Sequence, residues 1–210
     1  MKTFYQPENP KIELVERNGE TTLYIDGQQA MQAWERGLMW ESADIVCTFG
    51  SRFLEIGLGL GFSAVRIASA PTTRRHTVVE KYQRVIDLFR AQHPNAPAAL
   101  EIVCADFFAF ICTLTPSSLD GIFFDPYFGS TIGWDDQALW DQVVPLLVRS
   151  LRPGGALVPY FSTQPILKWP FINFFDRVLV ERRPYIAYQN TEYTSSPFGS
   201  AYIQCFIKAG

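Results

Sequence analysis

At 210 residues the chain is long enough to bury one core without disulfides or a structural metal. Its 48% hydrophobic and 19% charged content excludes a disordered chain, and the aromatic share of 15% is generous enough for pocket walls as well as core. The net charge of −3, with basic runs no longer than Arg74-Arg75 or Arg182-Arg183, argues against nucleic acid or an anionic membrane as a partner and leaves a small or cationic substrate.

In chain order, Ile12 to Val15 and Thr22 to Ile25 are β-prone runs joined through Asn18-Gly19, a dipeptide that accepts positive φ and favours a tight hairpin. From Gln28 to about Phe49, Met31, Trp34, Leu38 and Ile45 fall at helical spacing without proline, which predicts one helix or two short ones. An α/β alternation follows. Arg52 to Ile56 reads as a buried strand, Gly57 to Gly61 as a glycine loop and Phe62 to Ser69 as a helix ended by Pro71. His76 to Glu80 is a second strand, Tyr82 to Gln92 a helix, Leu100 to Cys104 a third strand and Gly121 to Asp125 a fourth. A helix from about Asp135 to Ser150, a turn at Arg152-Pro153-Gly154-Gly155 and a strand from Ala156 to Phe161 complete the alternation. Pro165 and Pro170 interrupt the next segment, and Arg177 to Ile186 with Ala201 to Ile207 suit an antiparallel hairpin at a sheet edge. The expected fold is α/β: a Rossmann-like, doubly wound, mostly parallel seven-stranded sheet with an antiparallel C-terminal edge and an N-terminal hairpin-plus-helix lid. Residues 1–50 form the appendage of this single domain, 51–161 its core and 162–210 a segment on the substrate side.

Cys47, Cys104, Cys112 and Cys205 lack the spacing of a zinc or redox motif and read as reduced core thiols, so no metal is expected. Met1 to Pro10 is polar, with no apolar region and no basic lead, and no apolar run reaches the roughly 20 residues that cross a bilayer. The expected setting is cytoplasmic, without membrane or nucleic-acid partners; a homodimer is also expected.

The glycine loop carries the first chemical signal. Glu55-Ile56-Gly57-Leu58-Gly59-Leu60-Gly61 lies between a strand and a helix, but its third glycine comes one residue earlier than a dinucleotide loop requires. A carboxylate at Glu55 would repel a pyrophosphate and suit the ammonium of a methionine moiety. Glu80, with Lys81 beside it, ends the second strand where an acid can accept ribose hydroxyls, and Asp106-Phe107 follows the third strand at the place for adenine. Acids at three successive strand ends suit S-adenosyl-L-methionine along one cleft.

These features resemble the class I methyltransferases, and within them the guanidinoacetate N-methyltransferase and arginine δ-N-methyltransferase group. The resemblance covers about Asp26 to Tyr160. It rests on Met31-Gln32-Ala33-Trp34-Glu35 with Met39 soon after, on the glycine loop with Glu80, and on Phe124-Asp125-Pro126-Tyr127. It implies that Glu35 and Asp125 hold the guanidinium of a small substrate and carry the catalysis. It further implies that Met31, Met39 and Asp125 line the cofactor and that the preceding segment closes over the cleft. Trp34, Tyr127 and Tyr160 are the expected substrate walls, with Trp134 and Tyr193 as further candidate aromatics.

The chemistry requires such a pair. A guanidinium has a pKa above about 12 and no free lone pair, so it must be oriented and lose a proton as its nitrogen is methylated. Two carboxylates can do both, and they offset the repulsion between guanidinium and sulfonium. Pro126 stands where the group commonly has Thr, and Asp-Pro-Tyr is also like the Asp-Pro-Pro-Tyr loop of methyltransferases acting on other amines. Two alternatives stay open: aminopropyl transfer of the spermidine synthase type, which the Leu23 to Gln28 run resembles, and a non-catalytic adenosylmethionine-binding protein.

Overall fold

Alternate residues of the central strands point to opposite faces, and this alternation divides the core into two layers. In β4 (Arg52–Ile56) and β7 (Leu119–Phe124), Phe53 and Phe123 face one layer while Leu54, Ile122 and Phe124 face the other. The computed structural model describes residues 9–128 and 136–210; Trp134 and Asp135, both singled out above, lie outside them.

The first layer is covered by α1 (Arg36–Cys47), α2 (Phe62–Ser69) and α3 (Gln83–Gln92). In α1, Leu38, Met39, Ser42, Ala43 and Val46 recur every three to four residues, and the resulting stripe is buried. The second layer is covered by the short α4 (Phe107–Ile111), by α5 (Gln137–Ser150) and by α6 (Trp169–Ile172). Each large side chain buried in these layers contributes about 1.5–3 kcal/mol.

With β5 (Arg75–Glu80), β6 (Leu100–Cys104), β8 (Leu151–Pro159), β9 (Arg177–Ile186) and β10 (Phe198–Ile207), the main sheet has seven strands in the order β6-β5-β4-β7-β8-β10-β9. The first five are parallel, and β10 and β9 form the antiparallel edge, as the alternation predicts. The chain winds outward from β4 to β6 and then returns to β7 on the other side of β4. That reversal opens a crevice at the C-terminal ends of β4 and β7.

Three local readings change. Gln28–Gln32 is a strand, β3, so the N-terminal ribbon is a three-stranded sheet of β1 (Ile12–Arg17), β2 (Glu20–Ile25) and β3, and helix begins only after a short 3-10 turn at Ala33–Glu35. The cause is Asp26-Gly27, with φ of 50° and 75°, a second tight turn that reverses the chain after β2. The strand expected from Ala156 begins at Leu151, with an irregularity opposite Leu119–Gly121. Finally, Cys104 and Cys112 are exposed, whereas only Cys205 is a buried thiol. Among the described residues no helix is long and apolar enough to cross a membrane.

Candidate active site

The crevice opens into a cleft of about 760 Å³. Its floor comes from the strand ends: Ile56 and Gly57 after β4, Val79 to Lys81 at β5, Ala105 and Asp106 after β6, Asp125 to Phe128 after β7, and Tyr160 after β8. Its other wall is Gln28 to Met31 of β3 together with Glu35, Glu192 and Tyr193. Those last two residues belong to the β9–β10 connection, which is fastened to β3. The backbone N–H of Glu192 donates to Gln29 Oε1 at 2.8 Å, Gln32 Nε2 donates to Asn190 Oδ1 at 3.3 Å, and the Tyr193 hydroxyl donates to the Ala30 carbonyl at 2.9 Å.

At the glycine end, the Gly57 backbone has φ of 87°, and a Cβ there would lie 2.2 Å from the Asp125 carbonyl oxygen. A Cβ on Gly59 would lie 2.7 Å from Met31 Cε, and the Leu60 N–H donates to Met31 Sδ at 3.2 Å. The loop is thus pressed between the next strand end and Met31, and only glycine fits. Gly57→Ala combines about 1–3 kcal/mol of backbone strain with a clash. It is expected to lower the thermal midpoint by roughly 5 °C and to weaken S-adenosylhomocysteine about tenfold in calorimetry; unchanged binding would show that the Asp125 peptide yields easily.

Glu80 accepts from the backbone N–H groups of Leu58, at 3.0 Å, and Tyr82, at 2.9 Å, and burial raises its pKa against those bonds. Asp106 caps α4 by accepting from Phe108 N–H at 2.9 Å, while its second oxygen lies 3.6 Å from Lys81 Nζ. Both acids line the cleft, as do Lys81 and Phe107.

Glu35 and Asp125 also line the cleft. Glu35 Oε1 accepts the Gln32 N–H at 2.6 Å, which holds the 3-10 turn in a capping box and aims the carboxyl into the cleft. Burial raises Glu35 to about 8, and the charge of Asp125 adds to the rise. Asp125 is likewise raised to about 8, by burial and by Glu55, with Lys168 pulling the other way. The Lys168 ammonium stands 3.3 Å from the centroid of the Tyr160 ring, and burial lowers it to about 7 despite Asp125. The Tyr127 hydroxyl donates to Gln28 Oε1 at 2.8 Å.

Four expected site residues are not among those lining the cleft: Trp34, Met39, Glu55 and Gly61. Trp34 is turned into a brace, its Nε1–H donating to Gln32 Oε1 at 2.9 Å and its ring packed on Phe161 and Tyr185. Met39 is on the core stripe of α1. Gly61 caps α2 with Phe89 behind it. Glu55 is fully buried, accepting from Ser63 Oγ at 2.5 Å with His76 Nε2 at 3.1 Å, so it acts on Asp125 through its charge rather than by reaching the cleft. Conversely, Lys168, Gln29 and Glu192 escaped sequence reading. Lys168 sits between Pro165 and Pro170 where no periodicity survives, and Gln29 was hidden by the helical reading of β3.

A model of the guanidinoacetate N-methyltransferase family matches residues 11–165. The chain belongs to this family. Membership makes it an S-adenosylmethionine-dependent N-methyltransferase that acts on a guanidino group of a small molecule. In fold it is similar to a probable spermidine synthase from Corynebacterium glutamicum, with 18% identity, a TM-score of 0.65, and 96% of this chain and 78% of that chain covered. It is also similar to spermidine synthase from Thermotoga maritima, with 14% identity, a TM-score of 0.69, and coverage of 98% and 72%. A putative O-methyltransferase from Klebsiella pneumoniae gives 14% identity, a TM-score of 0.56, and coverage of 82% and 80%. At such identities the likeness is one of fold. The cleft fits the cofactor of a guanidinoacetate N-methyltransferase: bare glycine backbone at Gly57 and Gly59, acceptors at Glu80 and Asp106, and an apolar wall of Val79, Phe107 and Phe108.

Proposed function

We propose that Glu35 and Asp125 receive the guanidinium together and that Asp125 is the proton acceptor. The observation that supports this reading is that two buried carboxyls line the same cleft, close enough for the charge of Asp125 to act on Glu35, each held up to about 8. Desolvation disfavours their charged forms until a cation arrives, and a guanidinium between them restores both charges. Its planar fork suits a two-oxygen grip. S-adenosylmethionine, when bound, supplies an electrophilic methyl group. The guanidino nitrogen that takes the methyl gives its proton to an Asp125 oxygen, and Glu35 keeps the fork in place. Tyr127 and Tyr160 wall the substrate, while Glu80 takes the ribose hydroxyls, and Asp106, oriented by Lys81, takes adenine against Phe107. Met31 closes on the glycine loop.

Incubation with labelled S-adenosylmethionine and a panel of guanidinoacetate, arginine and simpler guanidines should label at least one guanidino product. Putrescine with decarboxylated cofactor is the control, and labelling of amines alone would overturn the proposed roles of both acids.

The same pair sets a pH dependence. Each acid must be ionised to grip or to accept a proton, whereas the guanidinium does not titrate in this range. With cofactor saturating, log kcat/KM for a guanidine without a carboxylate should therefore rise with pH, with a slope between one and two, and level off at or below about 8, because the sulfonium favours both charged forms. A profile flat from pH 5 to 9 would remove the pair from the mechanism.

A further inference from the structure

We propose that His76 is a positioning residue for methyl transfer: acting through Glu55, it keeps a negative charge beneath Asp125 and so readies Asp125 to take the guanidinium proton. This rests on Asp125 as the proton acceptor. His76 and Glu55 are 0% and 1% exposed, and neither lines the cleft.

The partners around the pair show where a proton is needed. His76 Nδ1 lies 3.2 Å from the Ala64 carbonyl, which can only accept, so Nδ1 carries a hydrogen. Glu55 Oε1 accepts from Ser63 Oγ, in the first turn of α2, at 2.5 Å. The two atoms left over, His76 Nε2 and Glu55 Oε2, face each other at 3.1 Å, and neither has a hydrogen-bond partner among the described residues. Two lone pairs at that distance in a buried layer repel. One proton makes the contact attractive and leaves the pair neutral as a whole. On His76, that proton makes the pair a dipole whose negative end is Glu55.

Strand register turns this end toward Asp125. Glu55 pairs with Phe123 across β4 and β7, while His76 stands on β5, on the other side of β4, opposite Phe53. The β4–β7 ladder runs on past Phe124, where the Asp125 N–H donates to the Ile56 carbonyl at 2.9 Å. Asp125 is thus two residues beyond the partner of Glu55, on the face that Phe123 shares with Phe53, about 8 Å from Glu55 between Cα atoms at ordinary strand spacing. By the same spacing His76 is about twice as far away. Gly57, packed against the Asp125 backbone, puts no side chain between the two acids.

The other groups facing the pair do not replace it. Cys47 of α1 lies in the field of Glu55, and burial pushes its thiol up to about 11, so it stays neutral. Asp125 itself faces Glu35, Lys168 and Tyr193, whose hydroxyl is raised by burial and stays neutral too. After burial, Glu55 is the group that holds Asp125 up. Without the imidazole, a buried Glu55 sheds its charge by taking a proton, and Asp125 loses the neighbour that makes it a strong acceptor.

The test follows log kcat/KM and kcat from pH 5 to 9, with guanidinoacetate and saturating cofactor, for wild type, Glu55→Gln, His76→Phe and the double variant. Each single variant should move the acid limb about half to one pH unit toward acid, and should lower plateau kcat about three- to tenfold as the acceptor weakens. The double variant should be no slower than the slower single one, because both changes remove the same charge. S-adenosylhomocysteine should bind all of them within about threefold of wild type. Glu55→Gln keeps the shape and an acceptor for Ser63; His76→Gln, polar but uncharged, stands in where phenylalanine prevents folding. An unmoved limb in either folded single variant, or losses that multiply in the double, would overturn the role of His76 and leave Asp125 as the acceptor. A wild-type profile without a limb, or no transfer to guanidinoacetate by folded protein with bound cofactor, would instead overturn the reading of Asp125.

Discussion

Asp125→Asn is expected to lower kcat at least about 10³-fold while S-adenosylhomocysteine binds within a few fold of wild type. Asparagine keeps the size and the acceptor oxygen of the side chain but cannot take a proton at neutral pH. The loss combines a general base, which is worth about 10²–10⁴, with the charge that steadies a guanidinium beside a sulfonium. Cofactor affinity should survive because the other contacts proposed for it lie elsewhere: Glu80 and Asp106 stand at the ends of β5 and β6, and the backbone of Gly57 and Gly59 is unaffected. The strand itself should tolerate the change, since the Asp125 N–H still donates to the Ile56 carbonyl at 2.9 Å. Single-turnover kinetics with folded variant, compared with calorimetry on the product cofactor, would decide it. A residual rate above about a tenth of wild type would assign the proton to another group.

The parts of this site that were legible in sequence are those set by the chain locally. Strand alternation at Phe53-Leu54 and Phe123-Phe124 dictates a sheet with two covered faces, and the glycine spacing dictates the loop that ends β4. Acids at or just past the ends of strands, Glu80, Asp106 and Asp125, had to reach the carboxyl edge because parallel strands share one polarity. What sequence could not convey is direction around a helix or across a bend. Trp34 and Glu35 are neighbours, yet the 3-10 turn sends the carboxyl to the cleft and the indole to Phe161 and Tyr185. Glu55 sits two residues before the glycine loop but points into the layer beneath it, where Ser63 and His76 lie. Lys168 was invisible for a third reason: its placement is made by Gln204, which is 36 residues further along the chain.

Glu35→Gln separates function from structure most cleanly, because the glutamine oxygen can still accept the Gln32 N–H that holds the 3-10 turn. Only the negative charge is lost. Removing one partner from a buried charged pair costs about 2–5 kcal/mol, so kcat/KM for a guanidino substrate should fall about 100- to 1000-fold, with much of the loss in KM. Below pH 8 the log kcat/KM profile for a guanidine without a carboxylate should keep a slope no greater than one, since a single acid remains to be ionised. Stability should move the other way. Glu35 is raised to about 8 in the folded chain from an ordinary value of 4.5, so between those pH values the native state holds more protons than the unfolded state. Its contribution to stability therefore declines as pH rises through that window, and glutamine removes the decline. Relative to wild type, Glu35→Gln should gain thermal stability between pH 5 and pH 8 while losing activity throughout. Melting curves at the two pH values measure this directly. A variant that loses stability at pH 8 as well as activity would make Glu35 a structural acid, its carboxylate needed by the turn rather than by the substrate.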